Sequence, residues 1–268
     1  MNPAEKHILL SNDDGIDSPG LWAAAEALSD LGYVTVAAPR EHMSATGRGF
    51  QRNSDGRITT KQIMVKGQEW DVYAVGGSPS QSVVHGILEV APRRPDLVVT
   101  GINFGENFAT DITYSGTVGA AIEAASLGIP ALAVSQQIIY EEWDKYHQDV
   151  DFSVSAYFTK LFAQKLMEKS MPHDVDVVNI VVPHGATPET PWKVTRLARF
   201  RYFKPYVIRE GKWEDDARIT SHIPPENEIP PDNDVYTVRV EKKVAVIPLS
   251  LDLTSRIDPA VLDDLLRS

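Results

Sequence analysis

The chain has 268 residues, of which 43% are hydrophobic and 24% are charged, and its 26 Lys and Arg against 37 Asp and Glu give a formal net charge of −11. This composition indicates a folded globular protein of one large domain or two small ones. The acidic charge argues against duplex DNA or RNA as a partner, because such binding needs a basic face. Cysteine is absent, which excludes disulfides, thiolate metal sites and cysteine nucleophiles.

The N-terminus and the hydropathy pattern bear on location. The first six residues contain no apolar core of a signal peptide. No apolar run approaches the roughly 18 residues that are needed to span a bilayer. We therefore expect a cytoplasmic protein without a membrane partner.

The first two thirds of the chain alternate short β-branched runs with amphipathic stretches, which predicts a parallel sheet built from βαβ units. Ser18-Pro19 marks the start of the first helix, which Gly32 closes. The polar segment 39–56 is long for a loop in a compact domain, and such loops are more often functional than idle. Strands are predicted at 8–10, 33–38, 97–100, 131–134 and 175–182, an antiparallel pair turning at Gly67 at 57–75, and further helices at 80–89, 117–127 and 152–169.

The last third differs in pattern. Residues 191–207 and 235–247 are predicted to form hairpins, and the prolines between them indicate an exposed loop or arm at 224–231. The simplest architecture is an α/β core that carries a small β-rich appendage.

Polar side chains follow several of the predicted strands. Asn12-Asp13-Asp14-Gly15 ends the first strand, Ser44 lies in the loop after the second, and the strand at 97–100 continues into Gly101-Ile102-Asn103-Phe104-Gly105-Glu106-Asn107. Ligands of open α/β sheets bind at the carboxyl ends of the parallel strands. The oxygen donors expected there suit Mg²⁺ or Mn²⁺. An adjacent Asp pair also serves turns and helix starts, so the turn remains an alternative to the metal site.

A second motif, Tyr114-Ser115-Gly116-Thr117, comes directly before a helix of small residues. Free backbone N–H groups at such a helix start favour a phosphate oxygen, and the alternative is an ordinary N-cap without a ligand. No Gly-Lys-Ser/Thr follows, and no Gly-x-Gly-x-x-Gly follows the first strand, so neither a Walker loop nor a dinucleotide cofactor is expected. His42 shares the loop of Ser44 and is a candidate substrate contact.

Taken in order, these motifs resemble the SurE survival-protein phosphatases over nearly the whole chain. The matching stretches are Ile8-Leu9-Leu10-Ser11-Asn12-Asp13-Asp14-Gly15, Pro19-Gly20, Ala38-Pro39 with Ser44, Gly101-Ile102-Asn103-x-Gly105-x-Asn107, Tyr114-Ser115-Gly116-Thr117-Val118-x-Ala120-Ala121-x-Glu123, Gly128-x-Pro130-Ala131-x-Ala133-Val134-Ser135 and Pro248-Leu249-x-x-Asp252-Leu253-Thr254.

The resemblance implies a divalent-metal-dependent phosphomonoesterase that acts on nucleoside 5′- or 3′-monophosphates and sometimes on polyphosphate. It implies one Mg²⁺ or Mn²⁺ per subunit, held by Asp13, Asp14, Ser44 and Asn103. It also implies a Rossmann-like, mostly parallel sheet with helices on both faces, a C-terminal β-hairpin appendage exchanged between subunits, and a homodimer or homotetramer. The corresponding regions are a catalytic core at 1–190, a β-rich oligomerisation region at 191–247 and a C-terminal segment at 248–268 that returns to the core.

In the expected mechanism, Asp13 also orients or deprotonates the attacking water, which makes Asp13 and Asn107 the candidate catalytic residues. The phosphate oxygens are expected to contact Gly105, Asn107, Ser115, Gly116 and Thr117. The alternatives are a signalling receiver domain, which needs a phospho-accepting Asp where this chain has Asn103, an aspartyl-phosphate phosphatase, which needs Asp-x-Asp, and a non-catalytic nucleotide-binding module.

Three positions depart from the family pattern. Gln81 replaces an acidic residue in the stretch that the family usually writes Gly-Thr-Pro-x-Asp-Cys, which puts substrate contacts there in question. Val181 replaces the second Asn of the family's Asn-x-Asn-x-Pro strand, and no Gly-Tyr of the family's C-terminal hairpin occurs near Lys242. The expected metal ligands are unaffected by all three.

Overall fold

The computed structural model describes residues 5–139 and 150–268 of the chain. Its strands are β1 (His7–Ser11), β2 (Tyr33–Pro39), β3 (Ile58–Val65), β4 (Gln68–Val75), β5 (Leu97–Phe104), β6 (Ala131–Gln136), β7 (Val177–Val182), β8 (Trp192–Val194), β9 (Lys204–Arg209), β10 (Ala217–His222) and β11 (Val244–Leu249). Its α-helices are α1 (Pro19–Leu28), α2 (Pro79–His85), α3 (Gly116–Ser126), α4 (Ser153–Glu168), α5 (Asp234–Arg239) and α6 (Pro259–Arg267).

Nine of the strands form one sheet in the order β3-β4-β2-β1-β5-β6-β7-β11-β8. The pairs from β4 through β7 are parallel, whereas β3 and β11 run antiparallel to β4 and β7. The central strands β1 and β7 are buried along their whole length, as expected of parallel strands that are covered on both faces. The predicted α/β fold is therefore confirmed, and so is the antiparallel pair that turns at Gly67.

Helices cover both faces of the sheet, as predicted. On one face, Leu21 of α1 and Phe158 of α4 pack in one buried apolar cluster. On the other face, Val83 of α2, Val118 of α3 and Val235 of α5 belong to a second cluster. The loops at the carboxyl ends of the parallel strands are thus held between two layers of helix, which is where the fold places its site.

The C-terminal third differs from the prediction. The hairpin is formed by β9 and β10, which span 204–222, so the predicted hairpins at 191–207 and 235–247 were wrong. Strands β8 and β11 join the main sheet instead, and α5 lies between the hairpin and β11. Two local signals explain the difference. Asn233 caps α5 by accepting the Tyr236 N–H, and the continuous buried run from Val244 to Ile247 is the pattern of a strand covered on both faces.

The segment after β11 is held near its start. Leu251 packs against the second buried cluster and donates its N–H to Asp176, whereas no residue of α6 is buried. The division of the chain at 190 and 247 stays a prediction, with β8 and β11 both inside the core sheet. In residues 5–139 and 150–268, no helix has the length and apolarity that a bilayer crossing requires.

Candidate functional site

The two carboxylates after β1 are held in a tight turn. The Asn12 side chain closes it, because its Nδ2 donates to the Gly15 carbonyl at 3.0 Å and its Oδ1 accepts the Gly15 N–H at 3.2 Å. Both following carboxylates are buried, with Asp13 3% and Asp14 6% exposed. The sequence left open that the Asp pair only stabilises a turn. In the structure Asn12 makes the side-chain bonds of that turn, and the carboxylates of Asp13 and Asp14 make other contacts.

Asp14 connects this turn to the end of β5. Its Oδ2 accepts the Phe104 N–H at 3.1 Å, and its Oδ1 lies 3.7 Å from His42 Nδ1. The ladder between β5 and β6 shifts register between Thr100 and Asn103, and such a bulge re-aims the side chains that follow it. Asn103 donates from Nδ2 to the Gly105 carbonyl at 2.7 Å.

The start of α3 lies against Asp13. A Cβ on Gly116 would come within 2.7 Å of the Asp13 Cβ and 2.8 Å of its Oδ2, so only glycine fits there. The Thr117 hydroxyl donates to Asp13 Oδ1 and lies 3.3 Å from Asn103 Oδ1. Ser115 caps the helix by accepting the Val118 N–H at 3.1 Å. The structure therefore brings both predicted motifs into one site.

Asn107 is fixed through its backbone. Its N–H donates to the Ser135 hydroxyl at 3.2 Å, and its carbonyl accepts the Asn179 amide at 3.1 Å. Its own Nδ2 is buried and meets no acceptor among the described residues. A buried amide donor without a partner is costly, and a ligand oxygen would satisfy it. Gly105, with φ 109, precedes it and donates its N–H to the Gln136 carbonyl at 3.0 Å.

The loop that carries Ser44 is bonded to both parts of this site. The Met43 N–H donates to the Asp13 carbonyl at 2.7 Å, and the Gly47 N–H donates to the Tyr114 carbonyl at 2.9 Å. Ser44 itself is exposed and follows Met43 directly. The predicted site residues thus lie in three segments that are hydrogen-bonded to one another: the turn after β1, the Ser44 loop, and the stretch from the end of β5 to the start of α3.

The electrostatics of the pair are unusual. Burial, together with the neighbouring charge of Asp14, raises the pKa of the Asp13 carboxyl well above its usual range, and the Thr117 hydrogen bond opposes this shift. A cation between the oxygens would relieve the repulsion. No three His, Asp or Glu side chains are placed to hold one metal ion in residues 5–139 and 150–268, so a metal here would need the neutral oxygens of Ser and Asn as further ligands.

Sequence reasoning missed two supporting residues, Ser135 on β6 and Asn179 on β7. Both are fully buried and bond the backbone of Asn107. The signal for Asn179 was available, because it is the one polar residue in the apolar strand Val177–Val182. A buried amide of this kind needs a hydrogen-bond partner, and here the partner is the Asn107 carbonyl.

The fold and the site together define the class of the protein. It is a Rossmann-like α/β protein with a polar site at the carboxyl ends of its parallel strands, where paired carboxylates meet the start of a helix.

Comparison with known proteins identifies the family. The family model described as Survival protein SurE matches residues 8–204. The 5′-nucleotidase SurE of Thermococcus gammatolerans is 40% identical over 258 residues, which cover 94% of this chain and 92% of that protein. The 5′-nucleotidase SurE of Methanococcoides burtonii is 38% identical over 266 residues, covering 97% and 99%. The crystal structure of the SurE protein from Aquifex aeolicus matches with a TM-score of 0.76 and 30% identity, covering 98% of this chain and 100% of that one. The chain belongs to the SurE family.

The raised pKa of Asp13 leads to a prediction about stability in the absence of metal. Because the pKa in the fold lies above that in the unfolded chain, the proton on Asp13 stabilises the fold at low pH, and this is lost as pH rises through the folded pKa. Asn at this position cannot ionise. In chelator, Asp13→Asn should therefore raise the thermal midpoint by a few degrees at about pH 8, at about 2–4 °C per kcal/mol for a domain of this size, and by less at about pH 5.

The matched control is Asp71→Asn, which replaces an exposed carboxylate on β4 and should leave the midpoint unchanged at both pH values. A midpoint of Asp13→Asn at or below that of the wild type at about pH 8 would contradict the stated electrostatics.

Proposed function

We propose that this chain is a divalent-metal-dependent phosphomonoesterase that hydrolyses nucleoside 5′-monophosphates, and also 3′-monophosphates and short polyphosphate, to release phosphate. Membership of the SurE family supports the proposal, since the relatives from Thermococcus gammatolerans and Methanosarcina acetivorans carry the name 5′-nucleotidase SurE. The proposed cation is one Mg²⁺ or Mn²⁺ per subunit.

The observation that carries the proposal is the contact between Asp13 and the start of α3. The first turn of the helix bonds the Asp13 carboxylate through the Thr117 N–H, and Gly116 has no side chain in front of that turn. Such a helix start favours a phosphate oxygen. The neighbouring carboxylates of Asp13 and Asp14 favour a cation. A phosphate ester with a divalent cation satisfies both preferences at once.

The donors present fit a hard divalent cation. Asp13, Asp14, Ser44 and Asn103 would hold it, all through oxygen, as Mg²⁺ and Mn²⁺ prefer. The repelling pair of Asp13 and Asp14 supports this assignment, because a cation stabilises two adjacent buried carboxylates. A bound cation supplies charge neutralisation at a phosphate oxygen and lowers the pKa of a water molecule.

The remaining groups are proposed to act on the substrate. The buried Nδ2 of Asn107 and the N–H of Gly116 would donate to the phosphate oxygens, with Gly105, Ser115 and Thr117 also lining the phosphate site. Donors fixed in advance stabilise the charge that develops in the transition state. Asp13 accepts from the Thr117 hydroxyl and backbone N–H, and this fixed carboxylate would orient the attacking water and take its proton.

The rival functions find no support in the site. A receiver domain needs a phospho-accepting carboxylate beside the acidic pair, and the structure has Asn103 there, donating to Gly105. A non-catalytic nucleotide-binding module would not require paired carboxylates next to the phosphate donors. Turnover of a phosphomonoester is expected of the enzyme and not of the receiver domain or the binding module.

The proposed function predicts activity that depends on metal. The protein should release phosphate from nucleoside 5′-monophosphates, should lose this activity in chelator, and should regain it with Mn²⁺ or Mg²⁺. The assay is phosphate release from a panel of 5′- and 3′-nucleotides, polyphosphate and an aryl phosphate, with each ion in turn. Full activity with metal confirmed absent would contradict the proposal, and so would no activity with any ion.

The second functional prediction concerns Asp13. Asp13→Asn keeps the side-chain size but removes the charge, so turnover at saturating metal should fall at least ~10²-fold, which is about 2.7 kcal/mol. Circular dichroism should show an intact fold. Asp71→Asn again serves as the control and should keep wild-type turnover. Near wild-type turnover in Asp13→Asn would place the reaction elsewhere.

We further propose that the chain is a homodimer or homotetramer. Two exposed apolar surfaces support this. Helix α6 buries none of its residues and exposes Leu265 by 69% and Leu266 by 76%, and the β9–β10 hairpin exposes Trp213 by 87% and Ile219 by 74%. An isolated helix of nine residues is marginal in water, so α6 needs a partner to pack against.

This leads to a prediction about mass in solution. Light scattering of the wild type at micromolar concentration should give at least twice the mass of one chain. The double substitution of Leu265 and Leu266 by Asp should lower that mass, whereas Arg267→Ala at the end of the same helix should not. A monomeric wild type would contradict the proposal.

A further inference from the structure

Asp234, the first residue of α5, is a buried carboxylate that bonds the segment between Asn107 and the start of α3. It is 0% exposed and accepts three backbone N–H groups. Its Oδ2 accepts from Ala109 at 2.7 Å, and its Oδ1 accepts from Ala198 at 2.8 Å and from Val235 at 2.9 Å. A carboxylate accepting several N–H groups holds their backbone firmly, because charge-assisted hydrogen bonds are the strong ones.

The Ala109 backbone is where this contact matters. Ala109 has φ 51, a left-handed conformation that is unfavourable for a residue with a Cβ. It lies two residues after Asn107 and begins the 3₁₀ turn that ends at Tyr114, directly before Ser115. Its conformation therefore sets how the chain runs from Asn107 to the start of α3.

The same turn is bonded at other points to residues 198–203. The Thr110 hydroxyl donates to the Phe200 carbonyl at 3.0 Å, and Asp111 Oδ2 accepts the Phe203 N–H at 2.7 Å. The rings of Phe108 and Tyr202 meet edge to face with centroids 5.2 Å apart. Among these contacts, only the Asp234 bond is made at the residue with positive φ.

We infer that Asp234 is a positioning residue for phosphate binding: by holding the Ala109 N–H it fixes the turn between Asn107 and Ser115, and so aligns the donors at both ends of the turn. The inference rests on the proposed function, in which those donors bind the phosphate of a phosphomonoester. The metal ligands lie outside this turn. Asp234 therefore acts on phosphate affinity and turnover and leaves cation binding unchanged.

The side chain at this position must be a carboxylate, because all three groups that it bonds are N–H donors. In Asp234→Asn, one oxygen becomes an NH₂ group, which would face the N–H of either Ala109 or Ala198. With the turn misplaced, kcat/KM for nucleoside monophosphates should fall ~10-fold to ~10²-fold, the range expected when a catalytic group moves by about 1 Å.

The experiment measures the binding of phosphate and the binding of the metal separately. In Asp234→Asn, the rise of the thermal midpoint caused by inorganic phosphate with Mn²⁺ present should shrink, whereas the rise caused by Mn²⁺ alone should match that of the wild type. Adding Ala109→Gly should restore part of the lost kcat/KM, because glycine adopts positive φ without cost. Thr237→Val is the stability control, since the buried Thr237 hydroxyl bonds Asn233 within the same segment and does not bond the turn. It should lower the midpoint and leave kcat/KM unchanged.

Three results would overturn the inference: unchanged kcat/KM and phosphate response in Asp234→Asn, a loss of kcat/KM no greater than in Thr237→Val, or no recovery on adding Ala109→Gly. Should Asp234→Asn not fold, Ala109→Val carries the test with Asp234 intact, because a β-branched residue resists positive φ. Unchanged kinetics there would also overturn it. A wild type without phosphatase activity would contradict the proposed function instead, and the phosphate response would still test Asp234.

Discussion

Helix α3 begins directly against the side chain of Asp13, where even a methyl group on Gly116 would come within 2.8 Å of the carboxylate oxygen. This contact brings the positive end of a helix to a buried negative charge, and each favours the other. The same helix also packs against the loop that carries Ser44: a Cβ on Gly119, one turn after Gly116, would lie 2.4 Å from the Gly47 backbone. The end of β1, the start of α3 and the Ser44 loop therefore pack closely on one another.

The buried carboxylates around this contact are of two kinds. Asp234 accepts three backbone N–H groups, which oppose the rise in its pKa that burial causes. Asp13 accepts a hydroxyl from Thr117 and lies beside Asp14, so its charge is opposed by a neighbour of the same sign. A fully bonded carboxylate holds structure, whereas a repelling pair creates a demand for a cation. The chemistry of the site follows from this difference in surroundings between residues of the same type.

The polar residues at the strand ends could be predicted from the sequence, because each apolar run ends at a definite residue and the carboxyl ends of parallel strands lie at one edge of the sheet. The contacts between residues distant in sequence could not be predicted in this way. Asn179 bonds Asn107 across 72 positions and Asp234 bonds Ala109 across 125, and no local pattern specifies either pairing. The C-terminal third was misassigned for a related reason. Short β-branched stretches such as Val244–Leu249 fit a hairpin or a central strand equally well until their partner is known, and here the partner is β7.

The departures from the family pattern can be assigned physical roles. Gln81 closes a capping box with Ser78 at the start of α2, and its Oε1 and Nε2 also bond the Gln51 backbone, so its side chain ties α2 to the Ser44 loop. Val181 packs in the buried apolar cluster on one face of the sheet. Lys242 takes φ 53 in the short turn from α5 to β11, a conformation that glycine adopts most easily. Each departure alters how an element is held, and none falls on Asp13, Asp14, Ser44 or Asn103. The oxygens proposed to hold the cation are therefore kept, and the three departures act on the capping, the apolar packing and the turn around them.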